Sequence, residues 1–313
     1  MSSCRSFVLT LVVMACSSAP LCAWGCAGHH IVALIAKEHL SANALEATSR
    51  LLQADPIDPA LARYCRDETA DPFVSAATWA DDVKRTEATR TWHYIDIPRN
   101  LTRGDLSPFC EPVGPLQNGD RRGCILSAIL NQLELVKNGS PSERPRALRY
   151  LIHLVGDLHQ PLHVNDNNDR GGNCVPVHFG AKPGTTNLHA LWDSGILEST
   201  LLERRLTQED FAKQLDRHYR GRFPHWGVEN LYLDRWAWEV HEVGVRVTYG
   251  KLRPKVPVEP AGVPADCAGE TAKTRDLNIA IDKEYERSAM DNIEPLLAKA
   301  GYRLAGLLNH IWP

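Results

Sequence analysis

Apolar residues recur at helical spacing along most of the chain: Ile31, Ala33, Leu34 and Leu40; Ile125, Ile129, Leu133 and Val136; Leu148, Leu151, Ile152 and Val155. Further helices are expected near 188–204, 207–220, 227–247 and 275–311, the last closing on Leu304, Leu307, Leu308 and Ile311. Strand-like alternation is scarce, so the fold class is mainly α. Proline, glycine and aspartate mark loops at 54–60, 98–123, 165–187 and 250–270. A small hairpin is expected where Asn165–Asn173, with Gly171-Gly172, meets Val175–Phe179. No repeat, low-complexity tract or long linker interrupts the pattern, which predicts one domain over 24–313.

Phe7–Ala15 is a different kind of run, apolar apart from Thr10, with Arg5 before it and Ser17-Ser18-Ala19-Pro20 after it. Nine residues fall well short of the roughly 20 that a helix needs to cross a bilayer. The run reads as the core of a secretory signal over 1–23, cut after Ala23 to expose Trp24. Leu21 at the −3 position is imperfect, and cleavage after Ala15 or lipid attachment at Cys16 are the rivals. The expected location is secreted or periplasmic.

Three of the nine cysteines lie in 1–23, leaving Cys26, Cys65, Cys110, Cys124, Cys174 and Cys267. An even number in an exported chain suggests up to three disulfides, with partners that spacing does not assign. A Cys26 thiolate close to His29 is the competing reading for that residue. Asn100-Leu101-Thr102 is a glycosylation sequon, and Asn138-Gly139-Ser140 is one weakened by Pro141. The chain has 313 residues and a formal charge of −3, which becomes −4 when 1–23 and its Arg5 are removed. Such a charge argues against a broad polyanion-binding surface, so a grip on nucleic acid would be local and metal-mediated.

His153 and Asp157 stand four apart on an amphipathic helix, on one face, and His189 and Asp193 repeat the spacing. Between them His159 and His163 flank Pro161, which turns the chain so that His163 can point back. One such pair is ordinarily a surface hydrogen bond, whereas two pairs and a further imidazole within 41 residues suit a zinc site built of histidine and aspartate. Upstream, Thr78-Trp79-Ala80-Asp81-Asp82-Val83-Lys84 and Trp92-His93-Tyr94-Ile95-Asp96 taken alone read as a tryptophan-rich core. A mature start at Trp24 adds an amine and carbonyl able to chelate a metal, with His29 nearby.

Together, in this order, these clusters resemble the zinc-dependent class I nucleases: the single-strand-specific fungal enzymes and plant bifunctional nucleases of the zinc phospholipase C-like superfamily. The likeness runs from Trp24 to Ala300-Gly-Tyr-Arg-Leu-Ala305. It implies a single-domain phospholipase C/nuclease-like helical fold with three zinc ions. One ion would take Asp81, His93, His153 and Asp157. A second would take the Trp24 amine and carbonyl, His29 and Asp157, and the third His163, His189 and Asp193. His159 would orient a ligand rather than bind metal.

The implied substrates are single-stranded DNA, RNA and nucleotides, cleaved to 5′-phosphorylated products with accompanying 3′-nucleotidase activity. Asp81 and Asp157 would serve catalysis, Lys84 would meet phosphate, Tyr94 would stack a base, and Asp96 would orient the base or the attacking water. Ser194 stands where the fungal pattern has asparagine and bears on base preference. A monomer without a stable protein partner is expected. The competing readings are a zinc-dependent phospholipase C, whose last ligand is normally Glu where this chain has Asp193, and a non-catalytic secreted metal-binding module.

Overall fold

A computed structural model describes residues 24–65, 70–180, 185–226, 232–260 and 267–313. The expected signal, 1–23, lies outside the described residues. Helix α1 (Cys26–Glu38) leads into α2 (Ala42–Ala54), whose first turn is capped by the Ser41 hydroxyl. Two short helices follow, α3 (Pro72–Ala76), capped by Asp71, and α4 (Trp79–Val83). The antiparallel helices α5 (Ile125–Asn138) and α6 (Glu143–Asp157) carry the two apolar stripes expected for 125–136 and 148–155.

The chain then forms α7 (Leu188–Ala190), a wider π turn over Leu191–Gly195, and α8 (Ile196–Arg204), so the helix expected over 188–204 is present with a bulge in it. Next come α9 (Gln208–Tyr219), α10 (Phe223–Trp226) and α11 (Leu233–Val243), the last running into a π turn over Gly244–Tyr249. The segment 227–231 of the helix expected over 227–247 lies outside the described residues. Helices α12 (Cys267–Arg275) and α13 (Lys283–Ile311) complete the chain.

The core is one continuous cluster in which Ile31, Val32 and Ile35 of α1 join Leu148, Leu151, Ile152 and Val155 of α6 and Leu297, Leu304 and Leu308 of α13. Helices α1 and α13 approach so closely at Gly301 that a β-carbon there would sit 2.6 Å from Ile35 Cγ2. Burial of α6 is almost complete, which places the ionisable residues it carries inside the molecule.

Two expectations are corrected. The helix expected from 275 starts at Lys283, because the Asp282 carboxylate accepts the Tyr285 amide and caps the helix there. The Val175–Phe179 strand does form a hairpin, as β3 (Pro176–Val177), but its partner is β4 (Thr186–Asn187), not Asn165–Asn173. A second hairpin inside the expected 98–123 loop pairs β1 (Leu116–Gln117) with β2 (Asp120–Arg121) across Asn118-Gly119, both at positive φ.

Three disulfides join Cys26 to Cys65, Cys110 to Cys124, and Cys174 to Cys267. The disulfide reading of Cys26 therefore prevails over a metal-binding thiolate. Among the described residues no helix is long and apolar enough to cross a membrane.

Candidate metal centre

Six elements meet at one buried point. Helix α1 brings His29, α4 brings Asp81, a 3₁₀ turn over Arg90–His93 ends on His93, and α6 brings His153 and Asp157. The 3₁₀ turn after Pro161 delivers His163, and α7 with its π turn delivers His189 and Asp193. The Asn187 side chain accepts the Ala190 amide and fixes the start of α7. All eight of these side chains are buried.

Asp157 is the hub. Its Oδ2 lies 2.9 Å from His93 Nδ1 and 3.1 Å from His153 Nε2, and its Oδ1 lies 3.2 Å from His29 Nε2. Asp81 Oδ1 is 3.7 Å from His153 Nε2 and 3.8 Å from His93 Nδ1. The His29 and His153 rings stack with centroids 4.0 Å apart. Beside them, His189 Nε2 is 3.3 Å from Asp193 Oδ2, and the His163 and His189 rings are 5.0 Å apart. Three groups have donor atoms close enough to share an ion: His29, Asp81 and His153; His93, His153 and Asp157; and His163, His189 and Asp193.

Hydrogen bonding shows what the imidazoles are set up to do. His153 Nδ1 donates to the Ala77 carbonyl at 2.7 Å, His163 Nδ1 to the His93 carbonyl at 2.6 Å, and His189 Nδ1 to the Gly171 carbonyl at 2.8 Å. Each bond fixes the ring and leaves Nε2 as the lone pair facing the carboxylates, the arrangement found behind metal-ligating histidines. His163 Nε2, His93 Nε2, both His29 nitrogens and Asp157 Oδ1 are buried without a hydrogen-bond partner. Buried polar atoms rarely stay unpaired in a folded protein, and a cation among them supplies the missing partner. The donor set is the imidazole and carboxylate mixture that zinc accepts.

Charge agrees with this arrangement. Burial would raise the Asp81 carboxyl, but Lys84, with Nζ 2.8 Å away, and then His153 and His93 outweigh it and hold the group below the usual carboxylate range. Burial likewise opposes ionisation of Asp157, and His153 foremost among its imidazole neighbours reverses that. Burial, followed by the neighbouring His163, pushes His189 down to about 3, keeping it neutral and able to donate a lone pair. His153 is lowered by burial but raised further by Asp157 and Asp81, to about 9, so without a metal its Nε2 holds a proton between the carboxylates, which a cation bound there would displace.

The first described residue, Trp24, is fully buried. A β-carbon on Gly28 would touch Trp24 Cβ, and the Gly25 amide donates to the Asp193 carbonyl at 2.7 Å. Trp24 and Gly25 are thereby lodged between the helix of His29 and the turn of Asp193. Ser194, half-buried, packs against Gly25, so it lines the seat of the N-terminal segment. Tyr94 and Asp96 lie on an extended segment that runs beside 163–166, with Ile95 N bonded to His163 O and Asp166 N to Ile97 O. Ile95 and Ile97 point inward, while Tyr94, 37% exposed, and Asp96 face solvent. Crowding by protein atoms, then Asp166 and Asp169, raises Asp96 to about 7, and crowding, then Asp96, raises Tyr94 to about 12.

Several participants escape a reading of the chain alone. Gln160 Nε2 donates to Asp193 Oδ1, and Gln160 Oε1 accepts the Leu162 amide, so one amide positions two ligand-bearing segments. Arg303 donates to His159 Nε2 at 2.8 Å while His159 Nδ1 donates to Val155 O, leaving His159 no lone pair for a metal. Asn173 Oδ1, on the loop under His189, is buried without a partner.

The sequence of the whole site-bearing region, residues 24–313, matches the family model described as S1/P1 Nuclease. The chain belongs to the S1/P1 nuclease family. Among its relatives, Nuclease S1 of Aspergillus oryzae is 27% identical over 301 residues, covering 92% of this chain and 91% of the relative. Endonuclease 2 of Arabidopsis thaliana is 28% identical over 298 residues, covering 92% and 90%. Nuclease P1 of Penicillium citrinum is 28% identical over 305 residues, covering 92% and 97%. Membership in the S1/P1 nuclease family makes the chain a hydrolase of nucleic acids and decides against the phospholipase C reading. S1/P1 nucleases are zinc-dependent, and the three histidine and aspartate clusters of this chain could hold metal.

Proposed function

We propose that the chain, cut after Ala23, is an exported zinc-dependent endonuclease that hydrolyses single-stranded DNA and RNA to 5′-phosphorylated products and also removes the phosphate of 3′-nucleotides. The observation that carries this reading is the set of three imidazoles, His153, His163 and His189, each tied through Nδ1 to a backbone carbonyl and presenting Nε2 to a buried carboxylate. Three zinc ions are proposed, one held by Asp81, His93, His153 and Asp157, one by the Trp24 amine and carbonyl with His29 and Asp157, and one by His163, His189 and Asp193.

Bound zinc supplies an acidified water and positive charge against the phosphate oxygens, which hydrolysis of an anionic diester needs near neutral pH. The rest falls to the chain. Asp157, in contact with three imidazoles, holds two ligand sets in one geometry. Lys84 keeps Asp81 ionised and presents a positive charge beside the phosphate. Tyr94 offers its exposed ring to a base, and stacking requires a nucleotide freed from a duplex, which favours single strands. Asp96, raised to about 7, can hold a proton at its carboxyl and donate it to a base edge. Ser194 influences base preference through its contact with the N-terminal segment. Three disulfides suit an oxidising compartment, and Asn100 is exposed for glycan attachment.

The test is an assay of purified mature protein on single-stranded DNA, RNA, duplex DNA and phosphatidylcholine vesicles. Single strands should be cleaved fastest, EDTA should abolish the activity, and zinc should restore it. Lipid turnover without nucleotide release, or full activity in EDTA, would overturn the proposal.

A further inference from the structure

Beside the segment that carries Tyr94 and Asp96, the loop 165–173 holds an arginine that none of the roles above uses. Its base is bonded to the Tyr94 segment: Asp166 N donates to Ile97 O, and Arg99 N donates to Asp166 O. Asp166 Oδ1 accepts the amides of Asp169 and Gly171, and Asp169 Oδ1 accepts the Gly172 amide and the Tyr249 hydroxyl. The loop is therefore rigid, and Gly171 O is spent on His189. At its apex Arg170 is exposed and sits at φ +57.

The left-handed region suits glycine and tolerates asparagine. The neighbouring left-handed residues, Asn168, Gly171 and Gly172, obey that preference, and Arg170 does not. Arg205, at φ +52, closes helix α8, a common use of that conformation, whereas Arg170 ends no helix. A residue held in an unfavourable conformation by an over-determined loop points to a use for its side chain. That side chain makes no hydrogen bond or ion pair among the described residues, and it lies near enough to the Tyr94 hydroxyl to be one of its electrostatic neighbours. Arg90, which also influences Tyr94, is already bidentate on Asp120. Arg170 is thus an exposed guanidinium without a carboxylate, on a loop bonded to the Tyr94 segment, in a protein whose substrate is an anion.

We propose that Arg170 is a substrate-binding residue whose guanidinium takes an unbridged oxygen of the phosphodiester flanking the nucleotide stacked on Tyr94. This rests on Tyr94 serving as the base platform. The contact favours a strand over a lone nucleotide, because only a strand carries a flanking diester.

The test compares mature zinc-loaded wild type with Arg170→Gly and Arg170→Lys. Glycine accepts φ +57 more readily than arginine, so Arg170→Gly removes the side chain without straining the loop. For a single-stranded oligonucleotide of about twelve residues, Arg170→Gly should raise KM about tenfold with a much smaller change in kcat. The slope of log KM against log salt should fall by about 0.7, the share of one phosphate contact on a single strand. Arg170→Lys should recover the salt slope, and zinc content and Tm should match wild type in both variants. An unchanged KM and salt slope in Arg170→Gly would overturn the proposal. Loss of zinc in that variant would also overturn it, by assigning Arg170 to support of His189. If wild type cleaves no single strand, the functional reading fails by itself, and oligonucleotide binding by fluorescence anisotropy, with the same salt-slope criterion, judges Arg170.

Discussion

Gly156 sits in α6 directly before Asp157, and its missing side chain is the space that His29 occupies. A β-carbon built there would lie 2.9 Å from His29 Nδ1 and 3.2 Å from Cε1. Comfortable contact requires about 3.5 Å, so in Gly156→Ala the ring must retreat by roughly half an ångström. It cannot slide freely, because it stacks on His153 at 4.0 Å. Two effects on stability oppose each other: alanine gains about 1 kcal/mol of helix propensity and overpacking costs about 1–3 kcal/mol, a net loss of about 0–2 kcal/mol. For a chain of this size the net change shifts Tm by only a few degrees. Metal binding has no such compensation, since ligand distances are held to about 0.2 Å and disturbance of a supporting contact costs about 10–100-fold in affinity. Zinc titration against a chelating dye, thermal melting by circular dichroism, and nuclease assay on the same samples should show a nearly normal fold with weakened zinc and activity. Gly221→Ala is the control, because nothing lies within 4 Å of a β-carbon there. Wild-type zinc affinity and activity in Gly156→Ala would refute the reasoning that His29 is a ligand seated by Gly156.

Mature protein beginning at Trp24 should be active, whereas a form with one extra residue before Trp24 should lose most activity, because the nitrogen is then an amide without a donor pair; equal activity of the two forms would remove Trp24 from the ligand set. Asp157→Asn should lower zinc by more than one equivalent while Lys84→Ala retains all of it, as read by emission spectroscopy, and unchanged stoichiometry in Asp157→Asn would refute its shared role. Burial, then the Arg303 guanidinium, hold His159 at about 3, below its unfolded value near 6.5. The native state therefore binds fewer protons in that window, and this residue's contribution to stability is full above pH 6.5 and lost as pH falls, by about 1.4 kcal/mol per unit. Urea midpoints at pH 4, 5 and 6 should decline less steeply in His159→Gln than in wild type, and parallel slopes would show that His159 takes no part in acid unfolding.

The parts of the site that were legible in the sequence are those written in side chains at short range. His153 and Asp157, or His189 and Asp193, share a face because a helix repeats every 3.6 residues, and the apolar stripe of α6 shows which face is buried. Supporting contacts were not legible for two reasons. The carbonyls of Ala77, His93 and Gly171 select the imidazole tautomers, yet a carbonyl carries no residue signature. Arg303 meets His159 across 144 positions, a pairing that only the packing of α13 against the rest of the molecule creates. The hairpin around Asn118-Gly119 carried a turn signal, but its strands are two residues long and solvent-facing, so no alternation marked them. The misjudged partner of β3 has a similar cause: Asn165–Asn173 holds itself with Asx bonds to its own amides, which compete with a ladder.

These contacts also explain why so much negative charge can be buried in one place. Asp81, Asp157 and Asp193 are all enclosed, and each raises the cost of ionising another, as the upward displacement of Asp193 by burial, and then by Asp81 and Asp157, shows. Lys84 offsets only part of this. Replacing the cluster with apolar residues would be the cheaper way to build a core, since buried ions are a poor source of stability. The fold instead spends separate elements on keeping the carboxylates and imidazoles apart by fixed distances: carbonyl bonds on one side of each ring, Gln160 on Asp193, and glycine at 156 where a ring must enter. An arrangement whose members are individually unfavourable and jointly restrained by the surrounding fold is one that bound cations would stabilise further.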